Sequence, residues 1–214
     1  MKKKEKAAAI YAALSVEHPQ ASCSLHFKSP LEILISARLS AQCTDKRVNM
    51  VTPTLFLKYP TVESYADADI SELMAIIKPC GLYVSKARQI KEMCAILRDK
   101  YGGRVPDTME ELLSLPGIGR KSANLVMGEV YGAPGAVVAD THCIRLSNRL
   151  GLCASKDPGK VERELRRILV PEHSLKICHL LVHHGREVCR ARRPECGRCA
   201  VNGLCAYYAK ITGA

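Results

Sequence analysis

The stretch MEELLSLPGIGRKSANLVMGEVYG, residues 109–132, is the most informative internal part of the sequence, because it contains two helical segments separated by a very short turn. The first segment ends at Leu115, where Pro116 cannot continue a helix. The second segment opens at Arg120 or Lys121 and carries apolar residues at helical spacing. The stretch therefore predicts two helices joined by a tight turn.

The turn itself is built from Gly117 and Gly119 on either side of Ile118. Glycine reaches backbone angles closed to other residues and leaves no side chain in the way, so a phosphate can approach the backbone N–H groups closely. Ile118 can point inward and lock the turn. The run LPGIGRKSA, residues 115–123, resembles the helix–hairpin–helix motif, which grips the DNA backbone without reading sequence.

Composition and charge set the class of protein. The chain has 214 residues, of which 47% are hydrophobic and 25% are charged, which is enough to bury a core in one or two small domains. No apolar run is long enough for a membrane span, and the N-terminal segment indicates an amphipathic helix rather than a signal peptide, so we expect a cytoplasmic protein. The net charge of +11 favours nucleic acid as a partner, whereas the absence of Trp argues against a stacking platform for single strands.

The apolar pattern is helical nearly throughout, so we predict an all-α protein. Residues 29–42 begin with Ser29 as N-cap and Pro30 at the first helical position. Asp107 and Glu110 have the spacing of a capping box at the start of a further helix. Other predicted helices cover residues 84–101, 121–131, 141–151, 158–169 and 174–188.

Four of the eleven cysteines lie in the basic segment CRARRPECGRCAVNGLC, residues 189–205. A reducing compartment and an odd number of thiols argue against disulfides. Zinc ribbons usually present two close pairs of cysteines set well apart, and this segment lacks that spacing. Zinc and iron–sulfur ligation remain the alternatives for these thiols.

Lys121 and Asp140 are candidates for chemistry. A lysine at a helix N-terminus meets the positive end of the helix dipole, which favours the neutral amine that a nucleophile requires. Asp140 ends an apolar run and can cap the following helix, or it can serve as a carboxylate opposite the lysine. Spacing alone leaves both roles of Asp140 open.

Five motifs occurring in this order make the chain recognisable. They are LSAQCTDKRVN (39–49), GLYVSKA (81–87), LPGIGRKSAN (115–124), VADTHCIRLSNRLGL (138–152) and the terminal cysteine segment. Together the chain resembles the bacterial endonuclease III family of base-excision DNA glycosylases, from about residue 25 to residue 206. The resemblance implies a bifunctional enzyme that removes oxidised pyrimidines from double-stranded DNA and cleaves the abasic site.

The resemblance also implies a cofactor and a set of DNA contacts. Cys189, Cys196, Cys199 and Cys205 match the family's ligands for a [4Fe–4S] cluster, which is chiefly structural. The cluster would pin the loop between its first two ligands so that three arginines face phosphates. These are Arg190, Arg192 and Arg193.

Matching to the family assigns roles to the remaining site residues. Lys121 is the nucleophile that attacks C1′ of a flipped nucleotide and forms a Schiff base, and Asp140 is its essential carboxylate. Gln42 fills the gap left by the flipped base, and Leu82 is an apolar wedge between bases. The hairpin residues Gly117, Ile118, Gly119 and Arg120 bind the DNA backbone, and Asp45 matches a family residue at the lesion pocket. His142, which follows Asp140, is a further candidate for shaping that pocket, and a capping or packing role for it stays open.

By resemblance, the architecture is two helical domains that flank a DNA-binding cleft. A six-helix domain covers residues 23–133, and the iron–sulfur domain combines residues 1–22 with residues 134–214. We expect a monomer whose partner is duplex DNA with damaged bases or abasic sites, and no membrane association. Two alternatives stay open: a related glycosylase for another lesion or mismatch, and a non-catalytic DNA-binding iron–sulfur protein.

Overall fold

The computed structural model describes residues 1–213 and confirms an all-α fold. Over that range it contains twelve α-helices, four short 3-10 segments and no β-strand. No helix in these residues is both long and apolar enough to span a bilayer. The helices are α1 (Lys3–Glu17), α2 (Pro30–Leu39), α3 (Asp45–Lys58), α4 (Val62–Ala66), α5 (Ile70–Ile77), α6 (Tyr83–Tyr101), α7 (Met109–Ser114), α8 (Arg120–Tyr131), α9 (Thr141–Leu150), α10 (Pro158–Ile168), α11 (Ser174–Glu187) and α12 (Ala206–Thr212).

The predicted helices are found with small shifts at their ends. The helices predicted at 84–101, 121–131, 141–151, 158–169 and 174–188 each lie within one residue of an observed helix at both ends. The cap of α7 is different from the prediction. Thr108, not Asp107, accepts a hydrogen bond from Glu111 N at 3.3 Å, and its hydroxyl donates to the Glu111 carboxylate at 2.8 Å. The capping pair is therefore shifted by one residue along the chain from Asp107 and Glu110.

The chain forms two compact units, one of which is continuous and covers Cys23–Tyr131. All residues of this unit are described. It contains seven helices, α2–α8, of which α4 is a separate helix of only five residues. Helix α6 packs against α4 and α5, and α2 packs against α3, α6 and α8. Helix α2 is the centre of the unit, with every residue from Ile33 to Leu39 buried. Its start is as predicted, since Ser29 Oγ accepts from Glu32 N at 3.2 Å and Pro30 is the first helical residue.

The other unit combines the two ends of the chain, Met1–Ser22 and Gly132–Ala214. Helix α1 packs against α10 and α11, and α9 packs against α11 and α12. The Tyr11 ring stacks on the His173 ring with their centroids 4.2 Å apart. These contacts attach the N-terminal helix to the C-terminal part of the chain. The division into two functional domains stays a prediction.

Candidate functional site

The hairpin between α7 and α8 has the tight form that its sequence predicts. Leu115 N donates to Leu112 O at 3.2 Å, and Ile118 N donates to Leu115 O at 3.1 Å. Ile118 is 6% exposed, so its side chain points inward as expected. The turn is therefore fixed from inside by an apolar side chain, while its outer face is formed by backbone.

The two glycines of the hairpin have different roles. Gly117 has φ of +77°, and a Cβ atom there would collide with the side chains of Arg38 and Gln89. These two side chains hold each other, because Arg38 Nε donates to Gln89 Oε1 at 2.7 Å. Gly119 lacks a positive φ, and a Cβ atom there would meet nothing within 4 Å. Gly117 is thus required by backbone angle and packing, whereas Gly119 keeps open the surface that a phosphate would approach.

Lys121 lies in the first turn of α8, directly after Arg120, and both side chains are exposed. The first N–H groups of a helix have no acceptor within the helix, so this end of α8 attracts anions. The exposed amine of Lys121 thus lies beside a surface that attracts anions. The structure therefore places Lys121 beside the hairpin, as the sequence predicts.

The charges of Asp45 and Lys121 both act on the half-buried thiol of Cys23. Burial raises the pKa of Cys23 to about 12, with the carboxylates of Glu129 and Asp45 acting in the same sense and the Lys121 ammonium opposing them. Asp45 is the first residue of α3, and Thr44 is the N-cap, since its Oγ1 accepts from Arg47 N at 3.3 Å. Sequence reasoning missed Cys23, which lies far from Lys121 along the chain. Glu129 lies on the same helix as Lys121, eight residues later.

Gln42 and Leu82 share an unusual backbone conformation. Among the residues described, they are the two non-glycine residues with positive φ, at 52° and 49°. The left-handed region costs an ordinary L-residue about 1–2 kcal/mol, and such strain concentrates at functional sites. Both side chains are exposed, and Leu82 has 54% of its surface accessible. An exposed leucine held in a strained backbone contributes little to the core, which favours a role in contact with a partner.

Asp140 lies in the unit formed by the chain ends and caps α9. Its Oδ1 accepts from Cys143 N at 2.7 Å. The carboxylate is half-buried, and this bond fixes its orientation. His142 is half-buried in the first turn of the same helix, with its Nδ1 3.3 Å from a guanidinium nitrogen of Arg145. The capping role of Asp140 is therefore real, and it is compatible with a catalytic role because it holds the carboxylate still.

The four cysteines of residues 189–205 line one recess with a volume of about 390 Å³, counting space open to solvent. Arg149 is central to it: its Nη1 donates to Cys189 Sγ at 3.3 Å, and its carbonyl accepts from Cys205 Sγ at 3.3 Å. Burial raises the pKa of Cys199 to about 11, and the Cys189 thiol adds to the effect. Four convergent thiols suit a tetrahedral metal or an iron–sulfur cluster, and metal binding has to displace their protons.

The loop after the first cysteine is held by the same arginine. The Arg149 guanidinium donates to Arg190 O at 2.8 Å and to Ala191 O at 2.7 Å. The side chains of Arg190, Arg192 and Arg193 are exposed, and Arg190 forms an ion pair with Glu195 at 3.4 Å. The loop thus presents positive charge outward, and its contact with phosphates stays a prediction. Sequence reasoning missed Arg149, which is recognisable only when its carbonyl partners are known.

A histidine reaches the cysteine recess from α11. His184 Nε2 lies 3.3 Å from Cys199 Sγ, while its Nδ1 lies 3.0 Å from Glu17 Oε2 and 3.2 Å from His18 Nε2. Burial lowers the pKa of His184. Hydrogen bonds to a ligating sulfur and fixed ring orientation are typical of groups that surround a metal site. The His184 ring therefore connects the end of the N-terminal helix to the cysteine recess.

Comparison with known proteins gives one consistent relationship. Residues 35–171 match the family model described as HhH-GPD superfamily base excision DNA repair protein. Endonuclease III of Synechocystis sp. is 41% identical over 203 residues, which cover 95% of this chain and 93% of that protein. Endonuclease III of Escherichia coli K12 is 37% identical over 208 residues, covering 97% and 98% of the two chains.

Solved structures agree with the sequence relatives. A non-covalent endonuclease III–DNA complex has a TM-score of 0.92 and 40% identity, covering 100% of both chains. A trapped endonuclease III–DNA covalent intermediate also has a TM-score of 0.92 and 40% identity, covering 99% of this chain and 100% of that one. A thermostable thymine-DNA glycosylase has a TM-score of 0.85 and 25% identity over 96% of this chain and 98% of that one.

Proposed function

Because the chain belongs to the endonuclease III family within the HhH-GPD superfamily, it is a base-excision DNA glycosylase and AP lyase, and we propose that Lys121 is its nucleophile. The observation that supports this assignment is the position of Lys121. Its exposed amine lies in the first turn of α8, one residue after a hairpin whose outer face is open backbone. No other residue of that turn offers a nitrogen nucleophile, since Arg120 retains its proton at any physiological pH.

The reaction proceeds in two stages from a neutral Lys121 amine. In the first, Nζ bonds to C1′ of the damaged nucleotide, the glycosidic C–N bond breaks, and the base leaves with the bonding pair and takes up a proton. In the second, the sugar ring opens to a Schiff base, a proton is lost from C2′, and the C3′–O bond breaks to release the 3′ phosphate. Water then hydrolyses the imine and regenerates the amine.

Asp140 is proposed as the carboxylate of this reaction. A fixed negative charge stabilises the cationic character that develops on the sugar as the base departs. The hydrogen bond from Cys143 N holds one oxygen at 2.7 Å, so the carboxylate needs little reorganisation. Asp45, which shares the neighbourhood of Cys23 with Lys121, is proposed to line the lesion pocket. His142, beside Asp140, is proposed to shape that pocket.

The duplex is proposed to be held by the hairpin and opened by two strained residues. Gly117, Ile118, Gly119 and Arg120 form the backbone-binding turn. Leu82 is the wedge that compensates for lost base stacking with apolar contact, and Gln42 supplies an amide for the unpaired partner base. Positive φ at both residues supports this assignment, because strain of this kind persists where surrounding structure enforces it for function.

The cysteine recess is proposed to hold a [4Fe–4S] cluster. Cys189, Cys196, Cys199 and Cys205 supply four thiolates, the ligand set that this cluster takes, and the cluster when bound supplies a rigid anchor for the loop that follows Cys189. Arg149 supports the fit, since it places positive charge at Cys189 Sγ and ties the loop backbone. Arg190, Arg192 and Arg193 then contact phosphates.

The cofactor assignment is tested by metal content. Purified protein should contain four iron and four sulfide per chain and absorb near ~400 nm. Arg149→Met should lower iron content, whereas Arg167→Met, an exposed arginine on α10, should leave it unchanged. A zinc-replete, colourless preparation contradicts the iron–sulfur assignment.

The substrates are proposed to be oxidised pyrimidines in duplex DNA, and the place of action the cytoplasm. The decisive experiment is borohydride trapping on abasic duplex DNA. The parent should form a covalent adduct that Lys121→Ala abolishes, while Asp140→Asn should slow both base release and trapping. An undiminished adduct with Lys121→Ala contradicts the nucleophile. A panel of oxidised pyrimidines, oxidised purines and mismatches separates the proposed substrate from other lesions.

A further inference from the structure

Lys86 is an exceptional lysine, because its side chain is completely buried. Its Nζ donates to Leu39 O at 2.7 Å and to Cys80 O at 2.8 Å. Burial lowers the pKa of Lys86. Placing an amine in the interior is costly unless its hydrogen bonds are satisfied, and an apolar side chain of the same length would fill the volume without that cost. The burial of Lys86 together with its two carbonyl bonds therefore indicates a role beyond filling space.

Both carbonyls belong to segments that lead directly into the strained residues. Leu39 is the last residue of α2, and the chain reaches Gln42 three residues later. Cys80 ends the 3-10 segment Lys78–Cys80, and the chain passes through Gly81, with φ of 67°, to Leu82. The Lys86 ammonium thus forms hydrogen bonds both with the backbone just before Gln42 and with the backbone just before Leu82.

Lys86 is also attached to the second segment by its own backbone. Lys86 N donates to Leu82 O at 3.0 Å, and Ser85 Oγ donates to the same oxygen at 3.0 Å. The thiols of the two segments also influence each other: burial raises the pKa of Cys80 to about 11, and the charge of the neighbouring Cys43 thiol acts in the same direction. Lys86 therefore lies at the centre of the contact between the Gln42 segment and the Leu82 segment.

We infer that Lys86 is a positioning residue for duplex opening: it fixes the Gln42 segment relative to the Leu82 segment so that amide and wedge enter the duplex together. This inference rests on the proposed roles of Gln42 and Leu82. It predicts a defect confined to substrates that must be opened. A lysine that served only stability would affect every substrate in proportion to the folded fraction.

The test compares two abasic substrates with the full-length, cluster-loaded protein. One is a fully paired duplex, and the other carries the abasic site in a short unpaired bubble, where no wedge is needed. Lys86→Met keeps the length of the side chain and removes the donors. Single-turnover cleavage of the paired duplex should fall about 100-fold, the usual consequence of a misplacement of about 1 Å, while cleavage of the bubble stays within about twofold of the parent.

A spectroscopic readout follows opening itself. A 2-aminopurine base next to the abasic site should brighten when the parent binds the paired duplex, and this rise should be lost with Lys86→Met. Lys86→Gln retains two amide N–H donors and should recover part of both signals. Met93→Ala, a buried residue on the same helix, is the matched control. It should lower thermal stability without changing the ratio of duplex to bubble cleavage.

The outcomes separate this inference from the proposed function. Equal losses on duplex and bubble, or a duplex rate equal to that of the parent, overturn the positioning role of Lys86. If Lys86→Met does not fold, the Lys86→Gln ratio decides the question. If Leu82→Ala cleaves the paired duplex as fast as the parent, the wedge assignment itself fails, whatever Lys86→Met does.

Discussion

Replacing Leu82 by alanine and by glycine should reverse the usual order of stability of these two residues. At an ordinary backbone position, glycine is less stable than alanine by about 0.5–1 kcal/mol, because it loses more conformational freedom on folding. At Leu82, φ is 49°, where alanine incurs about 1–2 kcal/mol of steric cost that glycine avoids. The free energy of unfolding of Leu82→Gly should therefore exceed that of Leu82→Ala by about 0.5–1 kcal/mol. The glycine variant should accordingly unfold at a higher denaturant concentration.

The measurement is equilibrium and thermal unfolding of the two variants side by side. For a chain of this length, the difference corresponds to roughly 2 °C in Tm. Glu92, exposed in the middle of α6, supplies the control, since Glu92→Gly should be less stable than Glu92→Ala by about 1 kcal/mol. Both Leu82 variants lack a wedge, so they should open duplex DNA equally poorly. If glycine is the less stable residue at both positions, the left-handed backbone at Leu82 and the reasoning from strain are refuted.

Three further outcomes are expected. Gly117→Ala should lower the free energy of unfolding by about 1–3 kcal/mol in chemical unfolding, because it combines a positive φ with a clash. Gly119→Ala should keep stability and weaken DNA binding. Equal stability losses in the two variants contradict these different roles of the glycines. Arg193→Ala should reduce the slope of log affinity against log salt by about 1 in a titration with duplex DNA, and an unchanged slope removes it from the phosphate contacts. Burial raises the pKa of Cys23 to about 12. At pH 8, Cys23 should therefore react with iodoacetamide about a thousandfold more slowly in the native than in the unfolded protein, as followed by peptide mass spectrometry. Rapid labelling of the native protein contradicts that burial.

The sequence predicts the parts of the site that depend on local chain properties. Pro116 and the glycines beside Ile118 define the hairpin because helix termination is a local effect. The same locality places Lys121 at the start of α8 and makes Asp140 a helix cap.

Features that depend on tertiary packing were not predictable in this way. The positive φ of Leu82 is a property of the folded chain, and a leucine in a sequence does not indicate it. Lys86 and Arg38 would be assigned to the surface by residue type, yet both are buried, where Lys86 donates to two backbone carbonyls and Arg38 to the Gln89 amide oxygen. Arg149 was missed for a related reason, since its partners are backbone carbonyls about forty residues further along the chain.

The union of both chain ends in one compact unit has a consequence for biosynthesis. Helix α1 precedes the unit Cys23–Tyr131 along the chain, whereas its packing partners α10 and α11 follow that unit, so they are synthesised after it. The continuous unit Cys23–Tyr131 emerges complete before them and can fold while translation continues. The apolar residues of α1 therefore stay uncovered until α10 and α11 have been synthesised.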